Sequence, residues 1–137
     1  PAMPRLQPDT RDRYARFHTI TTRWLDNDAY RHVNNVVYYS FFDTAVNEYM
    51  LNEGVLDLDA GPTVSLVVDT ACTFFSPISF PDLVHCGLRV AHLGIGTGHR
   101  DVSVPLQYQS SLSAHLRARR TCPAVQSASA TSACAAF

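Results

Sequence analysis

The sequence predicts an α+β fold in one domain, a single long helix wrapped by a curled antiparallel sheet. Two observations predict it. The hydrophobic period runs from two to about 3.6 and back to two along the chain, and only one segment carries a long helical stripe. The chain has 137 residues, 46% of them hydrophobic and 17% charged, which suits one compact core. Helix and sheet each have one apolar face, and each must bury it on the other.

The first strand is expected in "ARFHTITTRWLD". There Phe17, Thr19, Thr21 and Arg23 face one way and His18, Ile20, Thr22 and Trp24 the other, with β-branched and aromatic residues throughout. Residues 1–13, rich in proline and charge, read as a flexible arm ahead of a domain spanning 14–109. The helix follows in "VVYYSFFDTAVNEYMLNEG". Tyr38, Phe42, Ala45, Val46, Tyr49 and Met50 lie on one side, opposite Ser40, Asp43, Thr44, Asn47 and Glu48. Asn34 or Asn35 can cap its start, and Gly54 can supply the left-handed residue that ends it.

From Pro62 the period returns to two. "TVSLVVDTACTFFSP" and "VHCGLRVAHLG" read as two strands, and the Pro/Asp turn "ISFPDL" between them suggests an antiparallel hairpin. Phe42, Val46, Phe74 and Phe75 lie on the helix and sheet faces that would wall a pocket, and read more readily as ordinary core. A further strand fits "DVSVPLQYQ", with Pro105 limiting it to an edge or a bulge. Residues 110–137 are dominated by Ala, Ser and Arg without period-two apolar residues, so the last strand of the sheet is not legible there. That composition fits a disordered tail. It also fits a reading frame shifted between Thr97 and Ser110, an idea that fails if neither alternative frame of the DNA restores an alternating strand.

Charge and cysteine usage exclude several functions. A formal charge of −1 provides no basic field to hold nucleic acid or a membrane surface. All eleven basic residues are arginine, which reflects coding bias more simply than a binding need. Cysteines 72, 86, 122 and 134 lack CxxC or zinc spacing and read as free thiols in a reducing compartment. The opening "PAMPRLQPDTRDRY" has charges where a secretory leader has an apolar run, so a cytoplasmic protein is expected, with no metal or cofactor. "LGIGTGH" has alternate glycines but neither the following helix nor the later acidic residue of a dinucleotide loop. His85 and His92 are expected on opposite faces of one strand.

The densest polar cluster is "TRWLDNDAYRHVNN", between the first strand and the helix. Asp26 and Asp28, two apart, would share a face in extended chain. A carboxylate beside a helix N-terminus meets the partial positive charge of unpaired N–H groups. Such Asp/Asn clusters also serve simply as turn and cap residues.

"DNDAYRHVNNVVYYSFFDTA" resembles the D-x-D-x-x-G-H-V-N-N-x-x-Y segment of acyl-CoA thioesterases of the 4-hydroxybenzoyl-CoA thioesterase type, which have the hotdog fold. The resemblance extends through "FFSPISFPDL" and "RVAHLGIGT", about residues 15–97. It implies hydrolysis of an acyl-CoA substrate by a homodimer or homotetramer with its sites between subunits. Carried over by position, it makes Asp28 the catalytic carboxylate, acting as nucleophile or general base, and Asp26 its support. His32 and Asn34 match the motif as further catalytic candidates or as residues that hold the turn. Asn35, Arg31 and Tyr38 are candidate substrate contacts, and a backbone N–H near His32 to Asn35 would polarise the thioester carbonyl. Arg31 stands where the family has glycine, so it brings strain or a contact to a coenzyme A phosphate. The alternative is a non-enzymatic acyl-CoA or acyl-carrier binding protein on the same fold. A dehydratase is weaker still, since its His/Asp or His/Glu segment is not visible.

Overall fold

The computed structural model describes residues 9–54, 56–59, 66–93, 99–108 and 111–121, with only the backbone described at 66, 68 and from 90 onward. Residues 1–8 of the arm, the glycine turn at 94–98 and the tail beyond Thr121 lie outside the described residues. Five antiparallel strands, β1 (Arg16–Thr21), β2 (Leu66–Phe74), β3 (Leu83–Leu93), β4 (His99–Tyr108) and β5 (Ser111–Thr121), form one sheet in the order β1-β3-β4-β5-β2. One helix, α1 (Asn35–Asn52), packs on it.

The helix forms where its stripe predicts, with Phe41 added to the buried side and Tyr49 only half-buried. Tyr38, Phe41, Phe42, Ala45, Val46 and Met50 are buried, while Ser40, Asp43 and Thr44 are exposed. They meet Ile78, Val84, Cys86 and Leu88, so β3 supplies most of the opposing face. Burying side chains such as Phe42 and Val46 stabilises the fold by about 1.5–3 kcal/mol each. Eighteen residues make a rod about 27 Å long, enough to cross the sheet. Its side is tied to β1 by His18 and Glu48 at 3.1 Å and by Arg16 and Glu53 at 3.7 Å. At the start, the Asn34 side chain accepts the Val36 N–H at 3.1 Å. That makes Asn34 the cap and leaves Asn35 as the first helical residue. Gly54, at φ 70°, ends the helix in the left-handed conformation, and the Leu56 N–H returns to the Met50 carbonyl at 3.1 Å.

Before β1, the Asp9 carboxylate gathers Arg13 at 3.0 Å, the Tyr14 hydroxyl at 3.0 Å and Arg89 at 3.1 Å. Burial alone would raise the Asp9 pKa, but these hydrogen bonds and charges outweigh it and hold the carboxyl below its usual range. In β1, His18 and Ile20 are half-buried and Thr22 beyond it is buried, as the alternation predicts. Trp24, on the same predicted face, is 76% exposed because a 3-10 turn, Trp24–Asp26, breaks the alternation.

Two expectations are corrected. β2 and β3 do not pair as a hairpin: β2 pairs with β5, and β3 pairs with β1 and β4. The Pro/Asp turn between them does form, with the Asp82 N–H donating to the Ser79 carbonyl at 2.8 Å, but it leads into a β3 that has β4 and β5 between it and β2. It passes under the helix start and sends β3 to the far side of the sheet. The tail also supplies a strand after all, because β5 lies between β4 and β2 and finds backbone partners on both sides. Ladder hydrogen bonds come from backbone alone, so a strand with partners on both flanks forms without side-chain alternation. Of the edge or bulge expected at Pro105, the structure has the irregularity and not the edge, since β4 is an interior strand. Pairing with β3 runs from Cys86↔Leu106 to Arg89↔Ser103, skipping Pro105, and a register shift follows at Leu106/Gln107.

Candidate active site

The end of β1 is locked first: both the N–H and the hydroxyl of Thr22 donate to the Asp82 carbonyl, at 3.3 and 2.7 Å. The chain then makes the 3-10 turn that ends at Asp26. Asp26 is 1% exposed. One of its oxygens accepts the Arg23 N–H at 2.7 Å, and the other accepts Arg23 Nε at 3.1 Å and Nη2 at 2.9 Å. Its own carbonyl accepts the Asn34 N–H at 2.8 Å. Asp26 therefore joins the strand end to the helix cap.

Asp28 lies in a second turn, closed by the bridge Asn27↔Val33. The Asp28 N–H donates to the His32 carbonyl at 2.8 Å, and the Arg31 N–H to the Asp28 carbonyl at 3.1 Å. Oδ1 of Asp28 accepts the N–H groups of Tyr30 at 2.8 Å and His32 at 3.3 Å. Oδ2 makes no bond among the described residues, and the side chain is half-buried. The two carboxylates thus do not share a face. The 3-10 turn takes Asp26 inward, while Asp28 is held by one oxygen with the other left available.

Arg31 adopts φ 65°, a left-handed conformation that glycine takes without strain and a residue with a Cβ does not. Its guanidinium is exposed and has no ion pair among the described residues. His32 and Asn35 are also exposed.

The N–H groups at the helix start are nearly all used. Val33 donates to the Ile78 carbonyl at 2.7 Å, Asn34 to Asp26 and Val36 to the Asn34 side chain. Among the described residues the Asn35 N–H has no partner. The notion of a polarising donor near His32 to Asn35 narrows to that one group.

An open-sided cavity of about 300 Å³ adjoins it. Its walls are His32, Val33, Asn35 and Tyr38 from the helix side, and Phe74, Phe75, Ser76 and Pro77 from the end of β2. Tyr38 and Phe74 meet edge to face, 5.1 Å between centroids. Burial pushes the Tyr38 phenol above its usual pKa, so it stays neutral. Of the residues proposed from sequence, His32, Asn35 and Tyr38 line this cavity. Asp28, Asp26, Arg31 and Asn34 do not.

Sequence reasoning placed Phe74 and Phe75 in the core. Phe74 is instead 47% exposed and, with Phe75, forms the cavity wall. The Pro77 that follows "FFS" was the available signal, because it ends the strand just where these rings leave the sheet.

The comparisons bear on the family and the fold. A family model described as the thioesterase superfamily matches residues 30–99, beginning two residues after Asp28. The PA5185 protein from Pseudomonas aeruginosa strain PAO1 is 38% identical, with TM-score 0.82 over 93% of this chain and 94% of that one. A gentisyl-coenzyme A thioesterase shares 20% identity, with TM-score 0.76 over 88% and 99% of the two chains. A DHNA-CoA thioesterase from Staphylococcus aureus shares 16%, with TM-score 0.69 over 77% and 72%. At those identities the last two bear on the fold alone. None of the curated proteins compared matches the chain. With half its length matched by the family model and a structure of 38% identity along nearly all of it, the chain has the hotdog fold and belongs to the thioesterase superfamily.

Proposed function

We propose that the protein hydrolyses an acyl-CoA thioester to a free acid and coenzyme A, with Asp28 as the acting carboxylate. The observation that carries this is the division of labour within that side chain. Oδ1 is fixed by two N–H groups, and Oδ2 is left to attack the thioester carbonyl or to take a proton from water. By either route the carbonyl oxygen becomes an oxyanion, and the Asn35 N–H at the positive end of the helix, without a partner among the described residues, is the donor that meets it. The thiolate of coenzyme A departs, and the proton it takes up comes from water, by way of Asp28 where Asp28 acts as base. Where Asp28 is the nucleophile, the mixed anhydride it forms is hydrolysed by a water to the free acid and the regenerated carboxylate. The cavity walled by Tyr38, Phe74 and Phe75 holds a short or flat apolar acyl group, and the exposed guanidinium of Arg31 reaches a phosphate of coenzyme A.

Thiol release across a panel of acyl-CoAs tests the reading. Asp28→Asn keeps the shape and removes the charge, so turnover falls by at least ~100-fold while the fold is retained. Robust release that survives Asp28→Asn in a folded protein sinks it. A second reading, a non-enzymatic acyl-CoA or acyl-carrier binder, is favoured by one fact: Asp28 is not among the residues lining the cavity. It predicts no release even from the unaltered chain, with binding intact.

The reading includes assembly into a homodimer or homotetramer in the cytoplasm. Trp24, Leu25 and Tyr30 around the Asp28 turn are 76%, 88% and 82% exposed, and β2 ends the sheet with one flank open among the described residues. Both features are hazards to an isolated monomer. Light scattering at micromolar concentration is expected to show a dimer or larger, and a pure monomer contradicts this part.

A further inference from the structure

The Asp28 turn is held from outside as well as by its own bonds. The segment between β2 and β3 meets it at three points. Ile78 accepts the Val33 N–H at 2.7 Å, Asn27 Oδ1 accepts the Phe80 N–H at 3.0 Å, and the Ser79 hydroxyl donates to the Arg31 carbonyl at 2.8 Å. The third is the one that acts on Asp28. The Arg31 carbonyl and the His32 N–H belong to one planar trans peptide unit, so fixing the direction of the first fixes the second in the opposite sense. That second group is the His32 N–H, which donates to Asp28 Oδ1 at 3.3 Å.

The pivot is Arg31, whose left-handed φ of 65° is strained for a residue with a side chain. Local sequence does not favour that conformation, so the peptide needs a restraint from elsewhere. Ser79 is such a restraint, 48 residues away along the chain.

We infer that Ser79 is a positioning residue for Asp28, aiming the Arg31–His32 peptide so that its N–H holds Oδ1 and turns Oδ2 toward substrate. The inference rests on the reading of Asp28 as the acting carboxylate, but its geometric half does not depend on turnover. Alanine at 79 is a clean deletion. The Ser79 N–H, which donates to Asp82 Oδ2 at 3.0 Å, and the Ser79 carbonyl, which accepts the Asp82 N–H at 2.8 Å, are both kept.

The experiment compares the full chain with Ser79→Ala, Ser79→Thr and Asp28→Asn by thiol-release kinetics and by amide hydrogen exchange at His32. In Ser79→Ala, kcat falls about tenfold or more with KM little changed, the signature of a group misplaced in the transition state rather than of lost binding. Exchange of the His32 amide speeds up several-fold, and Ser79→Thr, which keeps the hydroxyl, restores both. A merely structural serine lowers thermal stability and leaves kcat and His32 exchange in the folded fraction as they were, and that result overturns the inference. So does a failure of threonine to rescue. If Asp28→Asn is harmless, or the unaltered chain releases no thiol, the proposed function fails. His32 exchange then decides the role of Ser79 alone. Should Ser79→Ala unfold, Ser79→Cys, of similar size and a weak donor, is read by the same two measurements.

Discussion

Asp26 and Asp28 are the same residue type two positions apart, yet the structure treats them as opposites. Asp26 is 1% exposed with both oxygens bonded, all three bonds coming from Arg23. Asp28 is half-buried, with one oxygen bonded to backbone and the other open among the described residues. The difference is made by backbone: a 3-10 turn places the first carboxylate inside, and a tight turn with a left-handed fourth residue places the second at the rim. A buried carboxylate with both oxygens engaged holds structure and is out of reach of substrate. A half-bonded one is oriented and still reactive. The proximity of two acids in sequence thus says little about a shared site until the bonds of each oxygen are counted.

Exchanging the two roles by mutation is the strongest way to break the comparison. Asp28→Asn is expected to act on turnover and to leave stability near that of the parent. Asp26→Ala is expected to do the reverse in its primary effect. It leaves the Arg23 N–H without its acceptor and loosens the junction with the helix cap, at a cost of about 2–3 kcal/mol for a lost hydrogen bond to a charged group. The Arg23 guanidinium is 74% exposed, so it rehydrates and its part of the pair adds little. Chemical denaturation gives the second quantity and thiol release from the folded fraction the first. Equal loss of stability in both variants would show that the two turns form one structural unit and erase the contrast.

The sequence carried some of this and not the rest, for identifiable reasons. The helix and its ends were legible because stripe, cap and terminal glycine are local signals: Asn34, the buried run from Tyr38 to Met50 and Gly54 fall where the pattern puts them. The hotdog fold and the thioesterase superfamily were legible through the Asp-x-Asp…HVNN segment and its distance from the Pro/Asp turn. The partner of β2 was not. Strand pairing is set by closure of the whole sheet, and a turn signal between two strands does not tell whether they meet. β5 was hidden because backbone hydrogen bonds from β4 and β2 leave no trace in the composition of "SLSAHLRARRT". The cavity wall was misread because Phe74 and Phe75 have the composition of core. What exposes them is the break in the strand before Pro77, not their own character.

Arg31 gives a finer test of the comparison, since its left-handed φ shapes the Asp28 turn, whereas Asp26 sits in backbone of ordinary conformation. Glycine at this position adopts φ 65° without a Cβ clash, so Arg31→Gly relieves strain of about 1 kcal/mol, less the entropy that glycine adds to the unfolded chain. Stability is therefore expected to rise slightly or stay level in denaturant titration. Affinity is expected to move the other way. The guanidinium has no ion pair among the described residues, and its loss removes one charge-assisted contact to a coenzyme A phosphate. KM then rises several-fold for an acyl-CoA and stays unchanged for the same acyl group on pantetheine, which has no phosphate. If KM rises equally for both substrates, the arginine acts through the shape of the turn. If it rises for neither, the arginine is only a strained substitute for glycine, held in place by Ser79 and the bonds around it.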